Sequence, residues 1–435
     1  RAFPIAQALD NACAALRTLR SGGATLNAGQ ADLLARCDDL EFSAGNDPDG
    51  VVDALEGILS DEAEAQNTAA LTIAAAQFDN LKARIAALRS GTNGASFGGL
   101  ALQGSNGAVP LSFASNALNP NANASATDGQ PAPAEAGIDF DRWGFFATGT
   151  IGDGDRNPGG GSTGFDFETR GLTAGVDYRY NDSLIFGAAV GYASNDTDIG
   201  NNAGKLESRG LSISGYSTFY KGDSWYADGV LTHGSNQYDI TRNVEFTLTA
   251  PSGTASTVDQ VNTASPDGSQ FSAAFTAGRD FQRGAWGFGP FLRWQYTSVD
   301  FDGYTETVSN PNAPGLGLTV AVNERKVKSM QGVLGGKATY TMSTAWGILI
   351  PHFQFEYLRE FKSDPDALLS RLVFDPTGTQ IEVTGSDVDQ SFMNLGLGVS
   401  AIFANGRSAF MYYEKLLGQE GTSKDSLAIG IRIEF

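Results

Sequence analysis

The sequence predicts an all-β transmembrane barrel of twelve antiparallel strands, preceded by a small α-helical module. Three observations carry that reading. First, Leu427, Ile429, Ile431, Ile433 and Phe435 alternate with Ala428, Gly430, Arg432 and Glu434. This period-2 pattern makes one apolar face and one small or charged face. A strand that finishes on an aromatic fits a barrel whose outside meets lipid and whose inside meets a wet lumen. Second, the connections between strand candidates alternate between short and long. Third, tryptophan recurs at the same end of alternate strands.

Composition bounds the alternatives. The chain has 435 residues, enough for two or three domains. It lacks any apolar run near the ~18–20 residues of a transmembrane helix. A mean hydropathy of −0.18 does not exclude a barrel, because only alternate strand residues face lipid. Glycine (54) and phenylalanine (27) are abundant, as expected for many strands joined by tight turns. A net charge of −20 argues against nucleic acid as a partner, since phosphate neutralisation needs a basic surface. Arg1 follows neither a methionine nor a leader, so we expect a mature form or a fragment of a longer chain.

Residues 1–92 read as the helical module. Ile5, Leu9, Ala12, Cys13, Leu16 and Leu19 keep a 3–4 spacing, and Leu33, Leu34, Cys37 and Leu40 continue it. Val51, Val52, Leu55, Ile58 and Leu59 form a third stretch. An Ala-rich helix over 62–89 carries Leu71, Ala75, Phe78, Leu81, Ile85 and Leu88 as its stripe, with Ser60 or Asp61 as N-cap. Gly22-Gly23 and Asn46-Asp47-Pro48-Asp49-Gly50 separate the pieces. Residues 93–138, rich in Gly, Ala, Asn, Ser and Pro, read as a linker that is flexible or extended.

Residues 139–435 form the barrel region. Strand candidates span 141–152, 164–180, 183–195, 205–220, 224–241, 268–282, 285–300, 320–342, 345–362, 380–403, 407–417 and 424–435. Short turns fall at Asn181-Asp182, Gly222-Asp223, Arg283-Gly284, Ser343-Thr344 and Asn405-Gly406. Long polar connections fall at 153–163, 196–204, 242–267, 301–319, 363–379 and 418–423. Short on one side and long on the other is the asymmetry of an outer-membrane barrel, with the short turns periplasmic. Trp225, Trp286, Trp346 and Phe410 each follow a short turn closely, and Trp143 opens the first strand. Aromatics at one height make an interfacial girdle. A soluble sandwich has no reason to segregate tryptophan by turn type.

Several stretches carry a family likeness. They are Arg142-Trp143-Gly144-Phe145-Phe146, Gly175-Val176-Asp177-Tyr178-Arg179-Tyr180 and Gly187-Ala188-Ala189-Val190-Gly191-Tyr192. Gly215-Tyr216, Trp225-Tyr226-Ala227-Asp228-Gly229 and the terminal strand complete the set. From about Asp141 to Phe435 the chain resembles the β-domain of autotransporters (type V secretion). The resemblance implies a twelve-stranded barrel in the outer membrane of a Gram-negative bacterium that anchors or exports an N-terminal passenger. A segment before the first strand would cross the lumen, and the assembly machinery would read the last strand. Gly430 and Phe435 match the sorting pattern; Ala428 and Ile433 depart from it. Gly129-Gln130-Pro131-Ala132-Pro133 cannot continue a helix. The crossing element is then an extended linker or the Ala-rich helix upstream.

Several residues that could carry chemistry also have plainer roles. Cys13 and Cys37, the only cysteines, lie on helix faces flanking Gly22-Gly23. An antiparallel hairpin in an oxidising compartment would join them. Arg170, Asp177, Arg179, Arg432 and Glu434 are expected to face the lumen and to pair across it. Gly222-Asp223-Ser224 matches an esterase motif in text but reads as a turn. Asp153-Gly154-Asp155 lacks the further ligands of a calcium loop. No nucleophile–base constellation, metal cluster or phosphate-cradling loop emerges, so we expect no enzyme and no cofactor. Expected partners are outer-membrane lipid and lipopolysaccharide, the barrel assembly machinery and the chain's own passenger, around a monomeric barrel. A small-solute pore is the alternative, as is an adhesin acting through the helical module and the long loops.

Overall fold

The computed structural model describes residues 2–58, 62–89, 96–104, 107–108, 142–158, 163–221, 225–362, 368–383, 390–403, 407–418 and 425–433. Four helices come first: α1 (Ala2–Ser21), α2 (Ala28–Ala44), α3 (Pro48–Ile58) and α4 (Glu62–Arg89). Each boundary has a local cause. Gly23, at φ +83°, ends the α1 turn in a conformation that suits glycine. Asn27 and Gln30 form a reciprocal capping box at the start of α2. Pro48 opens α3 where its missing N–H costs nothing, and Asp47 accepts from the Gly50 N–H at 3.0 Å. The anticipated caps Ser60 and Asp61 lie outside the described residues. Cys13 and Cys37 are joined by a disulfide, with a Cα–Cα distance of 5.8 Å.

Most of the remainder is one large, mainly antiparallel sheet. Trp143–Arg156, Phe165–Asn181, Leu184–Ile199, Gly204–Lys221, Trp225–Thr249 and Asp267–Arg279 pair in that order. Trp286–Phe301, Arg325–Tyr340, Gly347–Glu360, Ser391–Phe403, Arg407–Leu417 and Asp425–Ile433 continue the ladder. Among the described residues no register joins the first of these strands to the last. Ser96–Gly104 instead pairs in parallel with the 143–156 strand. That edge offers unpaired N–H and C=O groups. Part of the expected linker is therefore extended and hydrogen-bonded.

The long connections hold more structure than periodicity suggested. The 225–249 strand runs well past residue 241 and pairs with Ala255–Ala264. Val320–Val322 is not part of a 320–342 strand. It joins Tyr304–Thr305, Leu368–Leu372 and Ile381–Val383 in a separate four-stranded sheet. Likewise, 381–383 separates from the strand that begins at Ser391. These short segments pack against helices, and packing supplied by α1–α3 is invisible to strand-by-strand patterning.

Alternation divides the large sheet into two faces. Leu211, Ile213, Leu231 and Leu292 are 59–63 % exposed on the outer face. Leu172, Phe275, Leu334 and Leu397 are exposed beside them, a broad apolar band of the kind that marks a membrane or partner contact. The inner face holds buried Thr173, Asn195, Asn236 and Gln270. Apolar outside and polar inside inverts the soluble pattern and matches a wall facing hydrocarbon.

Candidate functional site: a helix against the inner wall

The large sheet curves around α4. At ~1.5 Å per residue, the 28 residues of α4 span about 42 Å, more than a hydrocarbon core of ~30 Å. Its partners come from strands spread widely around the sheet. Near its N-terminus, Glu64 pairs with Arg156 at 2.6 Å, and Arg325 donates to Gln66 Oε1 at 2.5 Å. Midway, Asn80 Nδ2 donates to Thr173 Oγ1 at 3.0 Å, and Gln270 donates to Gln77 Oε1 at 3.1 Å. Near the C-terminus, Arg84 pairs with Asp177 at 2.7 Å, and Arg89 pairs with Asp228.

Glycine makes room for the helix. A Cβ at Gly210 would sit 2.8 Å from Ile73 Cγ2, and one at Gly144 would sit 2.7 Å from Arg84 Nη2. Backbone and helix approach closely because these side chains are missing. Lower down, Phe78, Leu81, Ile85 and Leu88 pack with Phe146, Ile185, Ala189, Tyr216 and Val230. Ala65, Ala69, Ala70 and Ile73 are buried as well. The wall thus covers more than the single stripe the sequence suggested, and Leu71 and Ala75 of that stripe are only half-buried.

Arg84 and Asp177 are almost wholly buried and Arg89 and Asp228 largely so, where a charge needs both a counter-charge and hydrogen bonds. Asp177 also accepts from the Tyr216 hydroxyl at 3.4 Å, and Asp228 accepts from Thr218 Oγ1 at 2.7 Å. The guanidinium groups rest on rings, Arg84 over Phe146 at 5.2 Å and Arg89 over Tyr226 at 3.9 Å. Away from the helix, Arg293 pairs with Glu356 at 2.9 Å, reaching across the 325–340 strand that separates their own.

Helices α1–α3 close the end where the long connections lie. Ile5, Leu9, Leu16, Leu33 and Leu34 share one core with Val244, Leu248, Val258, Leu318, Val320 and Leu372. Asp32 Oδ2 accepts from the backbone N–H groups of Gly315 and Gly317 at 2.9 and 2.8 Å. Ser43 Oγ donates to the Thr249 carbonyl at 3.1 Å. Beneath this cap, Arg242 and Glu306 form a buried bidentate pair at 2.7 and 2.6 Å. Arg242 also donates to the carbonyls of Ile58 and Leu318. Burial alone would raise the Glu306 carboxyl. The Arg242 guanidinium, the Val320 N–H and Asn262 outweigh burial and hold it below the usual carboxylate range.

The expected lumen charges separate. Asp177 faces α4, and Arg179 donates to the Tyr220 hydroxyl at 2.5 Å. Arg170 does not face inward and so corrects the expectation. It is exposed on the outer face and pairs with Glu168 at 2.8 Å. Residue 170 and residues 177 and 179 have opposite parity on one strand, so they cannot share a face. Arg432 lies opposite Ser408 in the ladder, and Gly430 opposite Phe410; Glu434 and Phe435 lie outside the described residues. Trp143, Trp225, Trp286 and Trp346 are all exposed, with Trp143 against Tyr178 and Trp286 against Tyr340. Sequence reasoning missed Arg84, Arg89, Arg242 and Glu306. The first two were visible as cations within an Ala-rich apolar stripe.

The family model of the autotransporter β-domain matches residues 145–414. The chain belongs to the autotransporter β-domain family. Esterase EstA of Pseudomonas aeruginosa and Esterase EstA of Pseudomonas putida are each 24% identical over 291 residues, 64% of this chain. The chain spans 42% of each of those relatives. Among solved structures, the NalP translocator domain of Neisseria meningitidis is 15% identical with a TM-score of 0.47, covering 68% of this chain and 89% of that one. The β-domain of the Bordetella autotransporter BrkA is 21% identical with a TM-score of 0.44, covering 68% of this chain and all of that one. As an autotransporter β-domain, the chain is an outer-membrane protein that serves as translocator and anchor for a passenger.

Proposed function

We propose that this autotransporter β-domain holds itself in a sealed, post-export state. Twelve antiparallel strands form the barrel wall, with Ser96–Gly104 on the edge of the first, and α4 crosses the bore as the plug. Helices α1–α3 sit at the cell surface as a cap folded into the long loops. Residues 1–92 then divide into the cap and the plug, 93–138 is the linker, and 139–435 is the barrel. The observation that carries this reading is the pairing of Arg84 with Asp177 and of Arg89 with Asp228 along the inner wall. The direction of α4 supports it: residues 62–66 lie at the long-connection end and Arg89 at the short-turn end. A chain that leaves the cell before re-entering at the first strand runs that way.

In this reading Trp143, Trp225, Trp286, Trp346 and Phe410 form the periplasmic girdle. The barrel assembly machinery reads the final strand through Gly430 and Phe435. The barrel is a monomer in contact with outer-membrane lipid and lipopolysaccharide, and its work is tethering rather than bond chemistry. The esterase activity in the EstA name belongs to those longer proteins. An occupied bore disfavours the small-solute pore. Reconstituted in planar bilayers, the intact chain is expected to conduct little. A chain beginning at Asp139 is expected to conduct several-fold more. Equal conductance from both overturns the plug.

A further inference from the structure

The outer wall carries its charge unevenly. Toward the long connections, the outer face of the strands between 143 and 221 holds mainly carboxylates, among them Asp153, Glu168, Asp196 and Glu207. The wall formed by 325–340 and 347–360 instead presents Lys326, Lys328 and Arg359, all exposed. Lys326 is tied to Asp300 at 2.7 Å. Among the described residues neither Lys328 nor Arg359 pairs with a carboxylate, and the Arg359 guanidinium lies over the Phe361 ring at 5.8 Å.

We propose that this wall binds the phosphates of lipopolysaccharide in the outer leaflet. The inference rests on the reading that the long connections face outward. Lys328 and Arg359 stand on neighbouring strands, two outward positions apart, because Arg359 lies opposite Gly332. A hydroxyl flanks them: Ser391 lies opposite Arg359. The Tyr357 hydroxyl donates to Ser391 at 3.1 Å. Toward the short turns the same wall becomes Trp294, Leu334, Phe355 and Leu397, all exposed and apolar. Cations, then hydroxyls, then a broad apolar surface complement an anionic headgroup that carries several acyl chains. Basic clusters beside a membrane recognise anionic lipid through this charge match. Two separated cations suit a lipid with more than one phosphate better than a phospholipid with one.

The test is a titration of the intact, detergent-solubilised chain with lipopolysaccharide and with phosphatidylglycerol, read by native mass spectrometry. Tighter binding of lipopolysaccharide is expected. Lys328→Gln with Arg359→Gln should weaken it roughly 25-fold, at about a factor of five per lost cation. Lys205→Gln with Arg209→Gln, on the acidic wall, should leave it unchanged. Heat-modifiable mobility checks that each variant folds; if the double variant does not, each single substitution gives the same readout at smaller size. Unchanged binding in a folded variant overturns the proposal. So does equal binding of phosphatidylglycerol or of enzymatically dephosphorylated lipopolysaccharide. Orientation is read separately, by labelling Gly253→Cys on intact cells. Labelling without selective binding sinks the lipid site alone. An unlabelled Gly253→Cys sinks both, because an inward-facing wall never meets lipopolysaccharide.

Discussion

At the scale of single residues, the Arg84–Asp177 pair decides whether the helix is seated or merely enclosed. Both side chains are almost wholly buried. Removing one partner strands the other charge, at a cost of roughly 3–5 kcal/mol. Arg84→Ala should therefore lower the thermal unfolding temperature and raise bilayer conductance. Replacing both partners with leucine should restore much of the stability, because a matched apolar pair carries no stranded charge. A single variant as stable and as tightly closed as the parent would show that the pair does not hold the plug. Gly210 tests the same seat sterically. Gly210→Val forces atoms into Ile73 and Asn236, so it should shift α4 and open the bore without touching a charge. Unaltered conductance would count against a close fit.

At the scale of elements, the cap has two fasteners with different chemistry. The disulfide closes a sequence separation of 24 residues, worth about 3 kcal/mol on chain-entropy grounds. Cys13→Ser with Cys37→Ser should leave the barrel heat-modifiable but make α1 and α2 sensitive to protease. Protection equal to the parent would mean that the shared core with the loops suffices. The second fastener is Glu306 against Arg242. Its carboxyl is depressed in the folded state, so the stabilisation is fully present above the unfolded value of about 4.3. It is lost as pH falls through the lower folded value. Protease protection of the cap should hold from neutral pH to about pH 4 and decline below it. Glu306→Gln should weaken protection at neutral pH and flatten that decline. A profile identical to the parent's would assign the acid transition to another group.

For the whole molecule, the question is which end faces out. With the native cysteines replaced, Gly253→Cys should be labelled on intact cells by an impermeant maleimide. Asp182→Cys, at a short turn, should be labelled only after the outer membrane is opened. The reverse pattern would invert the barrel and place the helical cap in the periplasm. The two sites sit at opposite ends of the same ladder, so one experiment orients every strand.

Much of this architecture was legible in the chain. Period-2 alternation, as in Leu172, Ala174 and Val176 against Thr173, Gly175 and Asp177, depends only on the geometry of an extended backbone. It therefore marks strands and their faces without knowledge of neighbours. Turn chemistry marked the Asn181-Asp182 hairpin for the same local reason; Ser343-Thr344 instead ends a strand, one step before its turn, and Gly222-Asp223 and Asn405-Gly406 lie outside the described residues. The spacing of Cys13 and Cys37 around Gly22-Gly23 foretold their bond. Tertiary structure decided the rest. Whether the linker or the Ala-rich helix occupies the bore depends on distant partners: Asp177 and Asp228 for the arginines, Gly144 and Gly210 for the space. The 320–322 segment left its expected strand because the hydrophobic faces of α1–α3 lay nearby. Arg170 lay outward because parity along one strand outranks the expectation that charge seeks water inside. Local periodicity fixes which way a side chain points; only packing fixes what it meets there.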